Sequence, residues 1–163
     1  MPNKVDVLEL KKEHIGKIRE NTLKSLPIET CAVMIGRFRE KIGKAKGNRA
    51  IVKDVIFLKN TVNSAVRFAV DPDELYRTYL KAEEQAMDVV GIFHSHPAPP
   101  YPSDIDEFYM KVNPVPWLIA GISSDRGELR AYQWNKGGIK KVKLEINEED
   151  EPKQVFKPKG SSD

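Results

Sequence analysis

The chain has 163 residues, a formal net charge of +3, 40% hydrophobic residues and 31% charged residues. This is enough for one domain around one core, and the small positive balance does not by itself argue for nucleic acid. A lone cysteine, Cys31, excludes an intrachain disulfide, and with no apolar run of membrane-span length and no signal-peptide layout the composition predicts a soluble, cytoplasmic protein.

In chain order, Val5, Val7 and Leu10 predict a short first strand. Ile15, Ile18 and Leu26, with Thr22 between, follow a helical stripe over Lys11 to Leu26, and Pro27 ends it. Thr30 to Phe38 is apolar and β-branched enough for a buried strand. The basic stretch Arg39 to Arg49, with Gly43 and Gly47, reads as a hairpin tip, and Ala50 to Leu58 as the returning strand. Asn60 to Val70 has no period and reads as a long connection. Asp71-Pro72 is a helix start, followed by the stripe Leu75, Tyr79, Ala82 and Ala86. Val89 to His94 is nearly all apolar, the pattern of a central strand covered on both faces.

Ala98 to Pro102 holds three prolines and predicts a stiff loop. A helix then runs from Ser103 to about Val112. Three more strands, Trp117 to Ile122, Leu129 to Trp134 and Ile139 to Ile146, are separated by turns at Gly127 and Gly137-Gly138. An acid run and a stretch rich in Pro, Lys, Gly and Ser end the chain. The predicted organisation is one domain over residues 1–146 with a disordered polar tail at 147–163. The predicted fold class is α/β (α+β), a central mixed sheet packed by helices.

Chemistry concentrates in Phe93-His94-Ser95-His96-Pro97 and in Ser103-Asp104-Ile105-Asp106. Residues two apart on a strand share a face, so His94 and His96 can present two imidazoles to one point. Zinc accepts imidazole nitrogen and carboxylate oxygen, and a catalytic zinc keeps three protein ligands and one open position. Asp106 or Asp104 on the following helix is within reach. The competing reading is a local hydrogen-bonded pair, with Ser103 and its acid forming only a helix cap.

His94-Ser95-His96-Pro97 followed by a proline-containing stretch and Ser103-x-x-Asp106 resembles the JAMM (MPN+) metalloprotease signature. Pro27-Ile28-Glu29-Thr30-Cys31 before a buried strand resembles the family's upstream glutamate, and the Lys59-Asn60, Arg67-Phe68 and Asp71-Pro72 segments are further echoes. The resemblance runs from about Val5 to Trp134. Nine residues separate His96 from Asp106, one fewer than is usual in the family. The Ser-x-x-Asp unit is intact, which points to Asp106 over Asp104.

The resemblance implies a JAMM/MPN fold and one zinc held by His94, His96 and Asp106. It implies Glu29 as general base to a zinc-bound water and Ser103 as donor to the developing oxyanion. It implies substrates among ubiquitin-like modifiers and their conjugates, including the small sulfur-carrier proteins of archaea. A modifier tail would be held by strand addition at an exposed sheet edge, with Asn60 to Val70, and Phe68 in it, as the docking surface. Release of an amino acid such as cysteine from a sulfur-carrier protein fits the same residues.

Other readings fit less. Two histidines and a carboxylate also suit ferrous iron in an oxygenase, which leaves Glu29 and Ser103 without a task. A zinc deaminase would need a Pro-Cys-x-x-Cys after the histidines. A metal-free scaffold is disfavoured because every ligand is present. Arg37, Arg39, Lys41, Lys44, Lys46 and Arg49 suggest an RNA-binding tip, but aromatic residues for base stacking are lacking beyond Phe38. An exposed strand edge would also permit a homodimer. Ser95 is expected to point away from the ligands as support, His14 to be a surface histidine, Cys31 a small buried residue, and Trp117 and Trp134 parts of the core.

Overall fold

The computed structural model describes residues 4–41, 43, 47–61, 71–97, 99–122 and 128–148. Lys44 and Lys46 of the basic tip, the docking stretch 62–70 with Phe68, and tail residues 149–163 lie outside them. The described residues form β1 (Val7–Lys11), α1 (Lys12–Ser25), β2 (Cys31–Arg39), β3 (Arg49–Leu58), α2 (Pro72–Glu84), β4 (Asp88–His96), α3 (Asp104–Val112), β5 (Trp117–Gly121), β6 (Glu128–Asn135) and β7 (Gly138–Asn147). The periodicity therefore places each element within a few residues. The local signals act as expected: Asp71 caps α2 with its side chain on the Asp73 amide and Pro72 at the first position. The tight turn between β6 and β7 uses Gly137 at φ 86°.

The strands are hydrogen-bonded in the order β1-β3-β2-β4-β5-β6-β7 and close into a barrel. β1 makes the closure, running parallel to both β3 and β7. β4 and β5 are parallel, with α3 as their crossover, as parallel neighbours require. Alternation then sorts the side chains. Leu8 and Leu10, Ala32 and Met34, Ala50 and Val52, Phe93, Leu118 and Val142 fill the interior together with Ile15 and Ile18 of α1. On the outside, Cys31, Ile92, Trp117, Ile119 and Tyr132 lie under Met110 of α3, and Val33, Ile35, Leu58 and Val89 lie under Ala82 of α2. β2 carries a register shift against β3 at Ile35/Gly36. A Cβ at position 36 would collide with the Ile51 carbonyl, so the bulge demands glycine.

Several expectations change. The sheet is closed: β2 and β4 are paired on both sides, so among the described residues no open edge lies beside the histidines. The docking surface expected at Asn60 to Val70 lies mostly outside the described residues. His14 is buried, 1% exposed, because the start of α1 lies against the barrel. Its Nδ1 accepts the Lys11 amide at 3.1 Å, supplying the cap that the Lys11 side chain does not. Leu26 falls past the end of α1 and is 46% exposed, while Thr22 takes the buried position. In α2 the buried face is Thr78 and Ala82, not Tyr79, and Ala86 ends the helix region at φ 55°. Trp117 is in the core, but Trp134 is half-buried with the Lys111 ammonium over its ring. Arg49 belongs to β3 and not to the hairpin tip. It reaches Glu145 at 2.9 Å and Glu9 at 3.6 Å, across the seam where β3, β1 and β7 meet. Among the described residues no helix is long and apolar enough to cross a membrane.

Candidate metal centre

β4 carries Ile92, His94 and His96 on its outer face, toward α3. His94 sits between Cys31 of β2 and Ile119 of β5 in the ladder and is fully buried. Its ring meets Trp117 edge-on at 5.9 Å and His96 at 4.6 Å between centroids. The alternation read from the sequence thus brings the two imidazoles together.

Asp106 comes from the first turn of α3 and is buried. Its Oδ1 lies 3.0 Å from His94 Nε2 and its Oδ2 3.0 Å from His96 Nε2. The carboxylate is held by a capping box: the Ser103 amide donates to Oδ2 at 2.8 Å and the Asp106 amide donates to Ser103 Oγ at 3.1 Å. Cap and site are therefore one device, with Asp in the place usually held by Glu or Gln. Asp104 is exposed, which agrees with the choice of Asp106. The Ser103 hydroxyl accepts from the helix and keeps its own proton to donate.

Glu29 precedes β2 and is buried, with Oε1 3.9 Å from His94 Nδ1. Its carbonyl is held by the Asn60 amide at 3.0 Å. Donor atoms of Glu29, His94 and His96 all lie within 4.8 Å of one another, and this buried group could hold a metal. Burial raises the Glu29 pKa to about 7, with the His96 charge opposing the shift and the Asp106 charge adding to it. Burial works on Asp106 in the same direction, but the hydrogen bonds from His94 and His96 outweigh it and hold that carboxyl well below the usual range. His96 is raised: burial pulls it down, and the hydrogen bond and charge of Asp106, the Glu29 charge and a backbone hydrogen bond with Pro99 prevail. Two carboxylates side by side are thus pushed in opposite directions, the pattern that separates a base from a permanent anion.

Ser95 points to the other face, as expected. Its Oγ accepts the Thr30 amide at 2.9 Å and lies 3.1 Å from Thr30 Oγ1, which in turn is 3.2 Å from Thr22 Oγ1. This chain ties the segment carrying Glu29 to the strand carrying the histidines. Cys31 is buried and its thiol is pushed up to about 12 by burial, so it is no nucleophile. Residues that sequence reasoning missed are those reaching in from elsewhere: Asn60, noted only as an echo, Thr30, and Tyr132, whose hydroxyl donates to the Pro100 carbonyl at 2.9 Å. No local signal marks them, because each acts across the fold.

The donor set fits a metal. Glu29 Oε2 is buried with no hydrogen-bond partner among the described residues, an arrangement that costs free energy without a further group nearby. Imidazole nitrogen and carboxylate oxygen are donors zinc accepts, and Asp106 sets one oxygen 3.0 Å from His94 Nε2 and the other 3.0 Å from His96 Nε2. The family model described as prokaryotic homologs of the JAB domain (Prok-JAB) matches residues 11–135. The chain belongs to this family. It is 37% identical over 136 residues to a desampylase of Pyrococcus furiosus, covering 82% of this chain and 87% of that one. A solution structure of a Desulfitobacterium hafniense protein shares the fold at a TM-score of 0.72 and 23% identity, over 87% of this chain and 94% of that one. A second, from Salinibacter ruber, has a TM-score of 0.58 and 21% identity, over 91% and 93%. The resemblance to JAMM proteins is borne out, and the chain is an enzyme of that type, a hydrolase.

Proposed function

We propose that this protein is a zinc-dependent isopeptidase that releases ubiquitin-like small modifiers from protein conjugates. The observation that carries the reading is the convergence on one buried point of two imidazoles, the Asp106 carboxylate bridging them, and a second carboxylate of raised pKa. In this reading His94, His96 and Asp106 hold one zinc. A zinc bound there supplies a Lewis acid for the scissile carbonyl and a water acidified toward neutrality. Glu29, its carboxyl raised toward neutrality by burial, takes the water's proton on its carboxylate and delivers it to the leaving amine. Asp106 stays charged throughout. Ser103 turns its free hydroxyl proton to the substrate oxygen as charge develops on it.

The substrate class follows from family membership and from the desampylase relative. The reading takes residues 1–146 as the catalytic domain and a cytoplasmic setting, which suits a chain with one cysteine. Among the described residues no open sheet edge lies beside the histidines, and the docking surface in this reading remains Asn60 to Val70. The test is cleavage of a ubiquitin-like modifier from a lysine conjugate by wild type, by chelated protein with zinc added back, and by Glu29→Ala. Loss with chelator, recovery with zinc and silence of Glu29→Ala are expected. Cleavage that survives both treatments would sink the mechanism. A wild type that binds zinc but leaves lysine conjugates intact would move the substrate to other adducts of sulfur-carrier proteins.

A further inference from the structure

The connection from His96 to Ser103 has prolines at 97, 99, 100 and 102, so it carries carbonyl acceptors and almost no N–H donors of its own. The Tyr101 amide is spent within it, on the Pro99 carbonyl at 2.8 Å. A buried carbonyl in such a segment needs a donor from outside. Pro100 is buried, and the donor is the phenol of Tyr132 on β6, at 2.9 Å. Tyr132 is itself 5% exposed, pairs with Trp117 across β5 and β6, and packs under α3. Burial raises its pKa, against the Arg130 charge, so the phenol remains a donor.

The turn held in this way reaches the site directly. It is the connection between His96, at the end of β4, and Ser103 and Asp106, at the start of α3. His96 Nε2 faces Asp106 Oδ2 at 3.0 Å, so the two ends of this connection meet at the site. Groups that fix where ligands sit tune their hold on a metal. The far end of the same loop and helix has separate anchors: Trp117 Nε1 donates to the Asn113 carbonyl at 3.0 Å, and Gln133 Nε2 to the Pro114 carbonyl at 2.9 Å.

We propose that Tyr132 is a positioning residue for the metal site: its hydroxyl fixes the Pro100 carbonyl, and with it the connection that sets His96 against Asp106. The inference rests on the zinc reading above and acts on the ligand, not on the substrate. Zinc affinity of the full chain, measured by competition with a chelator, tests it without any cleavage assay. Tyr132→Phe, which removes only the hydroxyl, should weaken zinc binding by roughly tenfold to a hundredfold and speed hydrogen exchange at the Tyr101 amide. Gln133→Ala breaks buried bonds to Pro114 and Val5, and should lower thermal stability while leaving zinc affinity within about twofold. Wild-type affinity in Tyr132→Phe overturns the proposal. So does a loss of affinity in both variants that merely tracks their loss of stability. A wild type that binds no zinc overturns this proposal and the zinc reading together. A zinc-binding wild type that fails to cleave conjugates sinks only the substrate class.

Discussion

The two halves of the site are held in different ways. His94 and His96 sit on β4, which is paired along both sides, and Glu29 is laced to it through Thr30 and Ser95. Ser103 and Asp106 sit on a proline-rich connection and a short helix, fixed by a capping box and a few single bonds from β5 and β6 side chains. A ladder spreads a perturbation over many hydrogen bonds, while a point anchor does not. The strand half should therefore lose stability before geometry, and the loop half geometry before stability.

The largest effect expected comes from removing the base itself and sets the scale: Glu29→Ala should lower kcat by about 10²–10⁴-fold with zinc still bound, as read by steady-state kinetics and metal content. Ser103→Ala strikes the loop half. It should lower kcat by about 10²–10³-fold yet cost only about 0.5–2 kcal/mol as a lost cap, seen by comparing kinetics with urea unfolding. Its counterpart on the strand half is Ser95→Ala. That change should cost about 1–3 kcal/mol by orphaning the buried Thr30 amide and lower kcat by less than about tenfold; equal kinetic losses in the two serine variants would break the comparison. Gly36→Ala, remote from the metal on the same sheet, forces a methyl against the Ile51 carbonyl and should cost about 1–3 kcal/mol of stability with kcat unchanged per folded molecule.

The smallest effect concerns His14. Burial lowers its pKa in the fold, with the Lys53 backbone bond acting against it. The folded state therefore binds fewer protons at this ring than the unfolded state. Its contribution is complete above the ordinary imidazole value and is lost as pH falls from there toward the lowered one. The stability difference between wild type and His14→Gln should narrow as pH falls below the ordinary imidazole value; a constant difference would remove His14 from the account.

The elements were legible because their signals are local. The apolar run Val89 to His94, the Asp71-Pro72 start and the Ser103-x-x-Asp106 cap each operate within a few residues, and each forms as read. The same locality put His94 and His96 on one face and placed Asp106 on the first turn of α3. What the chain alone did not reveal depends on partners far away in sequence. β1 meets β7 only in the folded molecule, so closure of the sheet is a tertiary outcome. His14 is buried because α1 starts against the barrel, and Leu26 is exposed because the helix ends before it. Asn60 finds Glu29, and Tyr132 finds Pro100, across 31 and 32 residues. Periodicity determined which side chains share a face; the closing of the barrel decided which of those faces meet, because long-range hydrogen bonds and packing reward only the complete arrangement.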